Sequence, residues 1–526
     1  MHHRARLTNS LEAVPALPLT PARRYVECMQ TWTEGYVGEI AYVHSFYAEM
    51  TPAHLSFALL LAGVRPPDLS EPFTYAELGC GQGLTSNLLA GVHPQARFEA
   101  VDFLPAHIAD ARDLAAKAGN ANATFLEDSF AEYAERGGPD LDIVALHGVW
   151  TWVSADNRRI LLDILRRRLK PGGVVYVSYN CLPGWAAHTP LRKLLVEHTA
   201  SGSGPLPDRI GKALGFAARM ARLGEGWFDR VPGALAHLES LDGKSDGYIA
   251  HEYLNRDWTP FYHADVAREL AAAKLEYATS ATLADHVDDA MVSAPGLALL
   301  NEAADPALRE TLRDYLTDRR FRRDVFVKGA LRLSAAEREQ SLRALRVGLP
   351  VPRGEVPERV SAPTGHIDLP AAAPLAEALA GGPQTLDALM GDLKAHSLED
   401  VLRTIALLGG AVVPVPEGID ARRVARFNSA VLERNRFDPG IRQLASPELG
   451  TGMVVGLLER LFLLAEARGE EPAAFAWMVL RERGKKLRRD GEELQTDAEN
   501  VAELARLYEG FVGGQRGWLK GLGIAE

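Results

Sequence analysis

The stretch Tyr75–Gly83 reads YAELGCGQG, and it decides the fold class of this 526-residue chain. A short run of strand-forming residues ends in an acid and is followed by a glycine at every second position: Gly79, Gly81 and Gly83. Glycine tolerates positive φ angles and lets a ligand approach the backbone closely. The pattern therefore predicts a strand that ends in a ligand-binding turn and leads into a helix.

Strand and helix patterns alternate from about Thr74 to Pro183. After the first strand, further strands are predicted within ARFEAVDFL, ATFLEDSF, LDIVALHG and VVYVSYN, with helices such as PAHIADARDLAAKAG between them. Such alternation is typical of a parallel sheet that helices cover on both faces. The sequence predicts an α/β domain with a Rossmann-like sheet, in which ligands bind beyond the carboxyl ends of the strands.

Acids lie at the ends of three successive predicted strands: Glu77, Asp102 and Asp128. The spacing G-x-G-x-G differs from the dinucleotide fingerprint, and the carboxylate of Glu77 would repel a diphosphate. S-adenosylmethionine carries a sulfonium, an ammonium and a ribose but no phosphate, so it suits these groups better. Asp102 is predicted to accept hydrogen bonds from the ribose hydroxyls, and Asp128 from the adenine amino group. The alternative is that the glycines form a structural turn and the acids cap helices.

Neighbours of these acids complete the predicted cofactor site. Phe103 follows Asp102 directly, and Ser129 and Phe130 follow Asp128, where they would lie beside the adenine ring. No metal site is predicted, because the cysteines lie far apart in the sequence and form no metal-spaced pair.

At these residues the sequence resembles the class I S-adenosylmethionine-dependent methyltransferases. AELGCGQG is similar to their first motif, AVDF to their second and LEDSF to their adenine-side motif. Two further segments, LHGVWTWVSADNRRILLDILRRRLKPGGVVYVSYNCLPGW and YIAHEYLNRDWTPFYHADVARELAAAKLEYATSA, resemble bacterial methyltransferases that carry a methyltransferase regulatory domain. That group includes protein-lysine methyltransferases. The resemblance implies a class I methyltransferase sheet, S-adenosylmethionine as cofactor and a methyl-transfer activity.

Candidate catalytic residues follow the fourth and fifth predicted strands. His147 ends the fourth strand and Tyr179 and Asn180 end the fifth, so all three are predicted to face the cleft. Asn180 and Tyr179 can accept a hydrogen bond from a substrate amine, whereas His147 is either a proton acceptor or a cap of the cofactor pocket. Trp150 and Trp152 offer aromatic faces to an ammonium or an apolar channel, with ordinary core packing as the alternative.

An aromatic segment, YVGEIAYVHSFYAEMTPAHL, precedes the first strand. It resembles the segment that folds over the methionine end of the cofactor in this group of methyltransferases. Tyr42 and Tyr47 are the candidates for this contact, and simple helix packing is the alternative.

The domain organisation predicted from composition has four parts. Residues 1–290 form the methyltransferase domain, with a helical insertion near 191–243 that is either a lid or a packed extension. SDGYIAHEYL and EYATSATL are predicted to be the last two strands of its sheet. A helical connecting segment follows at 291–346, then a winged-helix-like domain at 347–425 and a helical region at 426–526.

Charge and composition restrict the partners. A net charge of −11 and only Arg403 in the predicted third helix of the winged-helix-like domain argue against nucleic acid and favour protein docking. The longest apolar runs are too short to span a bilayer, and the sparse cysteines fit a reducing, cytoplasmic compartment.

The preferred substrate is protein, with lysine ε-amines as the acceptor. Two alternatives stay open: a small-molecule N- or O-methyltransferase in natural-product tailoring, and a cofactor-binding regulator or scaffold without turnover. The sequence assigns no oligomeric state.

Overall fold

The computed structural model describes Tyr36 and residues 44–525. Within these residues seven strands form one sheet in the order β3-β2-β1-β4-β5-β7-β6. Neighbouring strands are parallel except for β7, which is antiparallel to both β5 and β6. The order reverses at β1, which is where a sheet of this type binds its ligand. The strands are β1 (Thr74–Leu78), β2 (Arg97–Asp102), β3 (Ala123–Glu127), β4 (Leu141–Leu146), β5 (Leu169–Asn180), β6 (Leu275–Ser280) and β7 (Phe321–Lys328).

Helices pack on both faces of this sheet, as predicted. Successive residues of a strand point to opposite faces, so Tyr75 of β1 lies in one hydrophobic cluster and Ala76 in another. Polar caps begin several helices, for example Ser154, whose hydroxyl accepts from the backbone N–H of Asn157. The helices before and between the first five strands are α1 (Pro52–Leu61), α2 (Leu84–Val92), α3 (Pro105–Ala118), α4 (Phe130–Arg136) and α5 (Ala155–Arg168), and a 3₁₀ turn spans Ala48–Met50.

A helical insertion follows β5 and has its own hydrophobic cluster. It is longer than predicted, because SDGYIAHEYL forms a helix and not a strand. Ser245 caps this helix, and Ile249, Ala250 and Tyr253 are buried at helical spacing. The insertion comprises α6 (Thr189–Ser201), α7 (Leu206–Arg222), α8 (Trp227–Arg230), α9 (Ala234–Glu239) and α10 (Asp246–Tyr253).

The sheet continues beyond residue 290, where the sequence predicted the methyltransferase domain to end. EYATSATL supplies β6 as predicted, but its partner is β7 at 321–328, within the predicted helical connecting segment. That part of the prediction is wrong. The helices of this region are α11 (His263–Ala271), α12 (Asp288–Met291), α13 (Ala294–Glu302) and α14 (Pro306–Thr317), with a 3₁₀ turn at Leu283–His286.

A buried ionic network explains why the pattern of β7 was unrecognisable. Arg322 donates to Asp324 at 2.9 Å, to Asp314 at 2.6 Å and to Glu310 at 2.8 Å. Burial alone would raise the pKa of Asp324, but the Arg322 guanidinium and His263 lower it to about 2. Charged residues therefore face the interior, and β7 lacks the polar and apolar alternation that marks a half-buried strand.

A smaller sheet and several helices follow the main sheet. The strand β8 (Arg346–Gly348) lies between β11 (Gln384–Thr385) and β12 (Val413–Val415) and pairs antiparallel with both. The surrounding helices share a hydrophobic cluster with Phe57 of α1. Arg403 donates to both carboxylate oxygens of Asp289, at 2.6 and 2.9 Å, so this cation is engaged within the protein. The elements are α15 (Ala335–Ala344), β8 (Arg346–Gly348), β9 (Arg359–Ala362), β10 (Gly365–Asp368), α16 (Ala372–Ala378), β11 (Gln384–Thr385), α17 (Leu386–Asp392), α18 (Leu398–Leu407) and β12 (Val413–Val415), with 3₁₀ turns at Arg353–Glu355 and Leu379–Gly381.

The last part of the chain, residues 421–525, is mostly helical and packs directly on α2 and α3, two of the helices that cover the seven-stranded sheet. Its first helix spans the predicted boundary at residue 425, and its Val424 and Phe427 share one hydrophobic cluster with Leu84 and Leu88 of α2. No helix in the described part of the chain is long and apolar enough to cross a membrane. The elements are α19 (Ala421–Arg434), β13 (Gln443–Ser446), β14 (Thr451–Val454), α20 (Leu457–Arg468), α21 (Pro472–Glu482), β15 (Arg488–Arg489), β16 (Glu492–Glu493), α22 (Asp497–Gly513) and α23 (Gln515–Gly521).

Candidate functional site

Two adjoining cavities lie at the carboxyl ends of the central strands. The larger has a volume of about 520 Å³ and the smaller about 130 Å³. Tyr36, Gly79, Asp102 and Trp152 line both, so the two form one bent site. Together they reach the size usual for ligand pockets.

The three glycines of the opening motif line the larger cavity with positive φ angles of +82° at Gly79, +53° at Gly81 and +65° at Gly83. A β-carbon at Gly83 would come within 2.6 Å of Phe125, and one at Gly79 within 2.6 Å of Val149. A β-carbon at Gly81 would meet no heavy atom within 4 Å. Packing therefore requires two of the glycines, whereas the third keeps a space beside the cavity open to a ligand.

Asp102 ends β2 and lines both cavities. One carboxylate oxygen accepts from the backbone N–H of Gly81 at 2.9 Å, and the other accepts from that of Leu104 at 3.0 Å. The oxygen that accepts from Leu104 also lies 3.3 Å from Nδ1 of His107, so the ribose hydroxyls would be met mainly by the oxygen that accepts from Gly81, which keeps a second lone pair. Asp102 thus fixes the glycine turn in addition to its predicted contact with the cofactor.

Glu77 lies at the inner end of the larger cavity and is only 6% exposed. Burial raises its pKa to about 7, although a hydrogen bond donated by the Ser86 hydroxyl lowers it in part. A ligand cation beside it would favour the ionised carboxylate. Glu77 therefore fits the positive groups of S-adenosylmethionine.

Replacing Glu77 by glutamine is expected to remove a pH dependence of stability. The folded-state pKa of about 7 lies above the ordinary 4.5, so folding takes up a proton between these values and wild-type stability falls as pH rises towards 7. The midpoint of thermal unfolding should be measured for both proteins from about pH 5 to 8. The midpoint of Glu77→Gln minus that of the wild type should increase with pH up to about pH 7 and stay constant above it. A difference that shrinks with rising pH would contradict the raised pKa.

The smaller cavity is lined by the three residues predicted for the adenine side, Asp128, Ser129 and Phe130, and by Phe103, which was predicted for the cofactor site without a named contact. Arg136 donates to both carboxylate oxygens of Asp128 at 2.6 Å, an ion pair that the sequence did not indicate. Each oxygen keeps a second acceptor position, but the charge of Asp128 is balanced within the protein.

The aromatic segment before β1 reaches the site. The ring of Tyr47 stacks on His147 with centroids 3.6 Å apart, and both residues line the larger cavity. Tyr36 contributes as well and meets Phe103 edge to face at 5.7 Å. Tyr42, the other candidate of this segment, lies outside the described residues.

His147 is partly buried just after the end of β4 and lines the larger cavity. Its Nδ1 lies 2.9 Å from the hydroxyl of Tyr176, and burial, assisted by the charge of Arg323, lowers its pKa to about 3. A ring with so low a pKa is a poor proton acceptor near neutral pH. This geometry favours the pocket cap over the general base.

Asn180 and Tyr179 lie on opposite faces of β5, so the prediction that both face the cleft is wrong for Tyr179. Asn180 lines the larger cavity, and its buried amide nitrogen has no hydrogen-bond partner among residues 44–525 or Tyr36. The Tyr179 hydroxyl instead donates to Asp324 at 2.6 Å on the other side of the sheet. The period of two along a strand separates neighbours in this way.

The two tryptophans named as candidates, Trp150 and Trp152, also lie in different places, and only one of them reaches the cavities. Trp152 lines both cavities, and its indole nitrogen is buried without a partner within the described residues. Trp150 is fully buried in the cluster on one face of the sheet and lines neither cavity. The prediction that Trp150 faces substrate is therefore wrong, and core packing accounts for it.

The outer part of the larger cavity has a lining that the sequence did not reveal. Its residues come from the glycine turn, from the loop after β5, from the last helix of the insertion and from the residue before β7, and the placement of the last three depends on tertiary structure. Only the residue from the glycine turn, Gln82, had a local sequence signal, because it lies between Gly81 and Gly83. The residues are Gln82, Trp185, Tyr248, Glu252 and Arg320. Among the described residues, no group of three or more His, Cys, Asp or Glu is arranged to hold a metal ion.

Comparison with known families agrees with this geometry. A family described as "Methyltransferase domain" matches residues 76–173, which contain the glycine turn, Asp102, Asp128 and His147. A second, described as "Predicted methyltransferase regulatory domain", matches residues 245–328, from the end of the insertion through β7.

Whole-chain relatives extend this agreement. The chain is 39% identical over 505 residues to the uncharacterized protein sll1526 of Synechocystis sp., covering 94% of this chain and 100% of that protein. The uncharacterized protein RP789 of Rickettsia prowazekii is 28% identical over 56% of this chain and 53% of its own. The structure of PKMT2 from Rickettsia typhi in complex with AdoHcy has the same fold, with a TM-score of 0.64 at 17% identity over 89% of this chain and 98% of that one. The chain belongs to the class I S-adenosylmethionine-dependent methyltransferases that carry a methyltransferase regulatory domain.

Proposed function

We propose that this methyltransferase transfers methyl groups to lysine ε-amines of protein substrates. The proposal rests on the shape of the larger cavity, which joins a buried end to an open one. Glu77 and Asn180 are at most 6% exposed at the inner end, whereas Tyr248 and Arg320 line the same cavity at the protein surface. A long, flexible side chain of a macromolecule can enter such a channel while the rest of the substrate stays outside.

The residues present fit a bound S-adenosylmethionine in one orientation. The smaller cavity, between Phe103 and Phe130, would hold the adenine, and Asp102 would accept from the ribose hydroxyls. The methionine end would then lie in the larger cavity beside Glu77 and under Tyr47. When bound, the cofactor supplies an electrophilic methyl group on its sulfonium.

The chain's own residues would align the acceptor amine and keep water away. The carboxamide oxygen of Asn180, at the buried end of the larger cavity, would accept a hydrogen bond from the substrate amine and leave the lone pair of the amine free to attack. Holding the nucleophile in line accounts for much of the rate enhancement in such a displacement. Because His147 is a weak base, the amine would lose its proton to solvent through the open channel before it attacks.

Aromatic side chains suit the lysine stem. Trp185 and Tyr248, both from the region between β5 and β6, line the larger cavity, and Trp152 lines it as well. Their rings would contact four methylene groups and attract an ammonium before it is deprotonated. The structural neighbour from Rickettsia typhi bears the name PKMT2, which suggests protein lysine methylation and supports the same substrate class.

The direct test is to incubate the purified protein with radiolabelled S-adenosylmethionine and a lysate of its host. We expect discrete labelled protein bands that yield methyllysine on acid hydrolysis, and much weaker labelling with the Asp102→Ala variant at a cofactor concentration near the wild-type Kd. Label only in the small-molecule fraction would contradict the proposal and favour metabolite tailoring. Tight binding of S-adenosylhomocysteine without any transfer would favour a regulator.

A further inference from the structure

Arg434, the last residue of α19, lies where three parts of the chain meet. One of its guanidinium nitrogens is 2.6 Å from the carboxylate of Asp110 on α3 and 2.9 Å from that of Asp438. The same nitrogen is 3.4 Å from Nε2 of His44, which is itself 2.9 Å from Asp110. His44 lines the larger cavity. A side chain of the C-terminal region is therefore in contact with a residue of the cofactor site.

His44 belongs to a short segment, residues 44–47, which we call the strap. The C-terminal region makes a second contact with this strap. The backbone of Gly452 on β14 packs so closely that a β-carbon there would come within 2.8 Å of both Phe46 and Leu88. Phe46 packs against the cluster that the C-terminal helices share with α2 and α3. Its neighbour Tyr47 stacks on His147 at the cavity. The strap is thus held by charge at its first residue and by packing at its third.

We infer that Arg434 is a positioning residue for cofactor binding and that the C-terminal region completes the methionine end of the site by holding the strap. The inference rests on the cofactor placement proposed above. The contacts are shielded from solvent, since the side chains of Arg434 and His44 are only 15% and 6% exposed. Ion pairs at such positions are screened less than surface pairs, so the loss of one partner leaves Asp110 with His44 alone.

The test compares two ligands on two arginine variants. S-adenosylhomocysteine has the amino-acid end that the strap would cover, whereas 5′-methylthioadenosine lacks it. Arg434→Met is expected to raise the Kd of S-adenosylhomocysteine about tenfold, which corresponds to about 1.4 kcal/mol, and to leave that of methylthioadenosine unchanged. Arg468→Met is the control, because Arg468 pairs with Glu433, the neighbour of Arg434, on a more exposed surface. It should change neither Kd.

Calorimetric titration and thermal unfolding of each full-length variant decide the outcome. Unchanged S-adenosylhomocysteine affinity in a folded Arg434→Met protein would overturn the inference, and so would an equal loss for both ligands. If that variant does not fold, Gly452→Ala, which displaces Phe46, should produce the same ligand-specific loss, and its absence there would overturn the inference. A wild-type protein that binds neither ligand would instead refute the cofactor placement itself.

Discussion

Replacing Asn180 by alanine is expected to lower kcat about 100-fold, the cost of losing one aligned contact to the reacting group. The affinity for S-adenosylhomocysteine should change little, because Asn180 would contact the acceptor and not the cofactor. The amide is 4% exposed at the inner end of the larger cavity, so water cannot easily replace it. Single-turnover kinetics, combined with calorimetric titration of S-adenosylhomocysteine, would measure both quantities.

The matched control for this variant is Tyr179→Phe, at the preceding position of β5. It removes the hydrogen bond to Asp324 on the opposite face of the sheet, so we expect lower stability but a nearly unchanged kcat. A large fall in kcat for Tyr179→Phe, or a joint loss of turnover and cofactor affinity for Asn180→Ala, would refute the assigned role of Asn180.

Replacing Asp102 by alanine should weaken S-adenosylmethionine binding by about 1.5 to 3 kcal/mol, or about 10- to 150-fold in Kd. The physical reason is twofold. The variant loses the charged acceptor for the ribose, and it also releases the backbone N–H of Gly81, which the carboxylate holds at 2.9 Å. Isothermal titration calorimetry gives the affinity directly.

Asp113→Ala is a suitable control for the Asp102 variant. Asp113 lies on α3, is about half exposed and pairs with Lys117 at the surface. Its removal should leave the affinity unchanged, because such exposed pairs contribute little. Wild-type affinity in Asp102→Ala would remove Asp102 from the cofactor site.

The sequence predicted those features whose cause is local. The three glycines and Glu77 belong to one strand-turn-helix unit, and Asp102 ends the neighbouring strand β2. The positive φ angles of the glycines and the contact from Asp102 to Gly81 therefore arise within a few residues or from the adjacent strand. The predicted cofactor class and the predicted α/β sheet are both confirmed, and both predictions depended on these local features. Strands β1 to β5 also have apolar cores that a single sequence reveals.

Features set by tertiary contacts escaped prediction. Arg322 and Asp324 made β7 look like part of a charged helix, because their partners lie on other elements. The residues that line the outer cavity, such as Trp185 and Arg320, depend on how the insertion folds over the sheet. For Tyr179 the error was simpler: its face follows from the two-residue period of a strand that was correctly predicted.

The position of β7 has a consequence for how the two matched regions depend on each other for folding. β7 forms backbone hydrogen bonds with β5 on one side and β6 on the other, yet it lies in the region matched as a regulatory domain. Without that region, β5 would end the sheet as a long apolar edge with open backbone donors and acceptors, a template for aggregation. Residues 76–173 and 245–328 are therefore joined in one sheet, and we expect neither region to fold stably without the other.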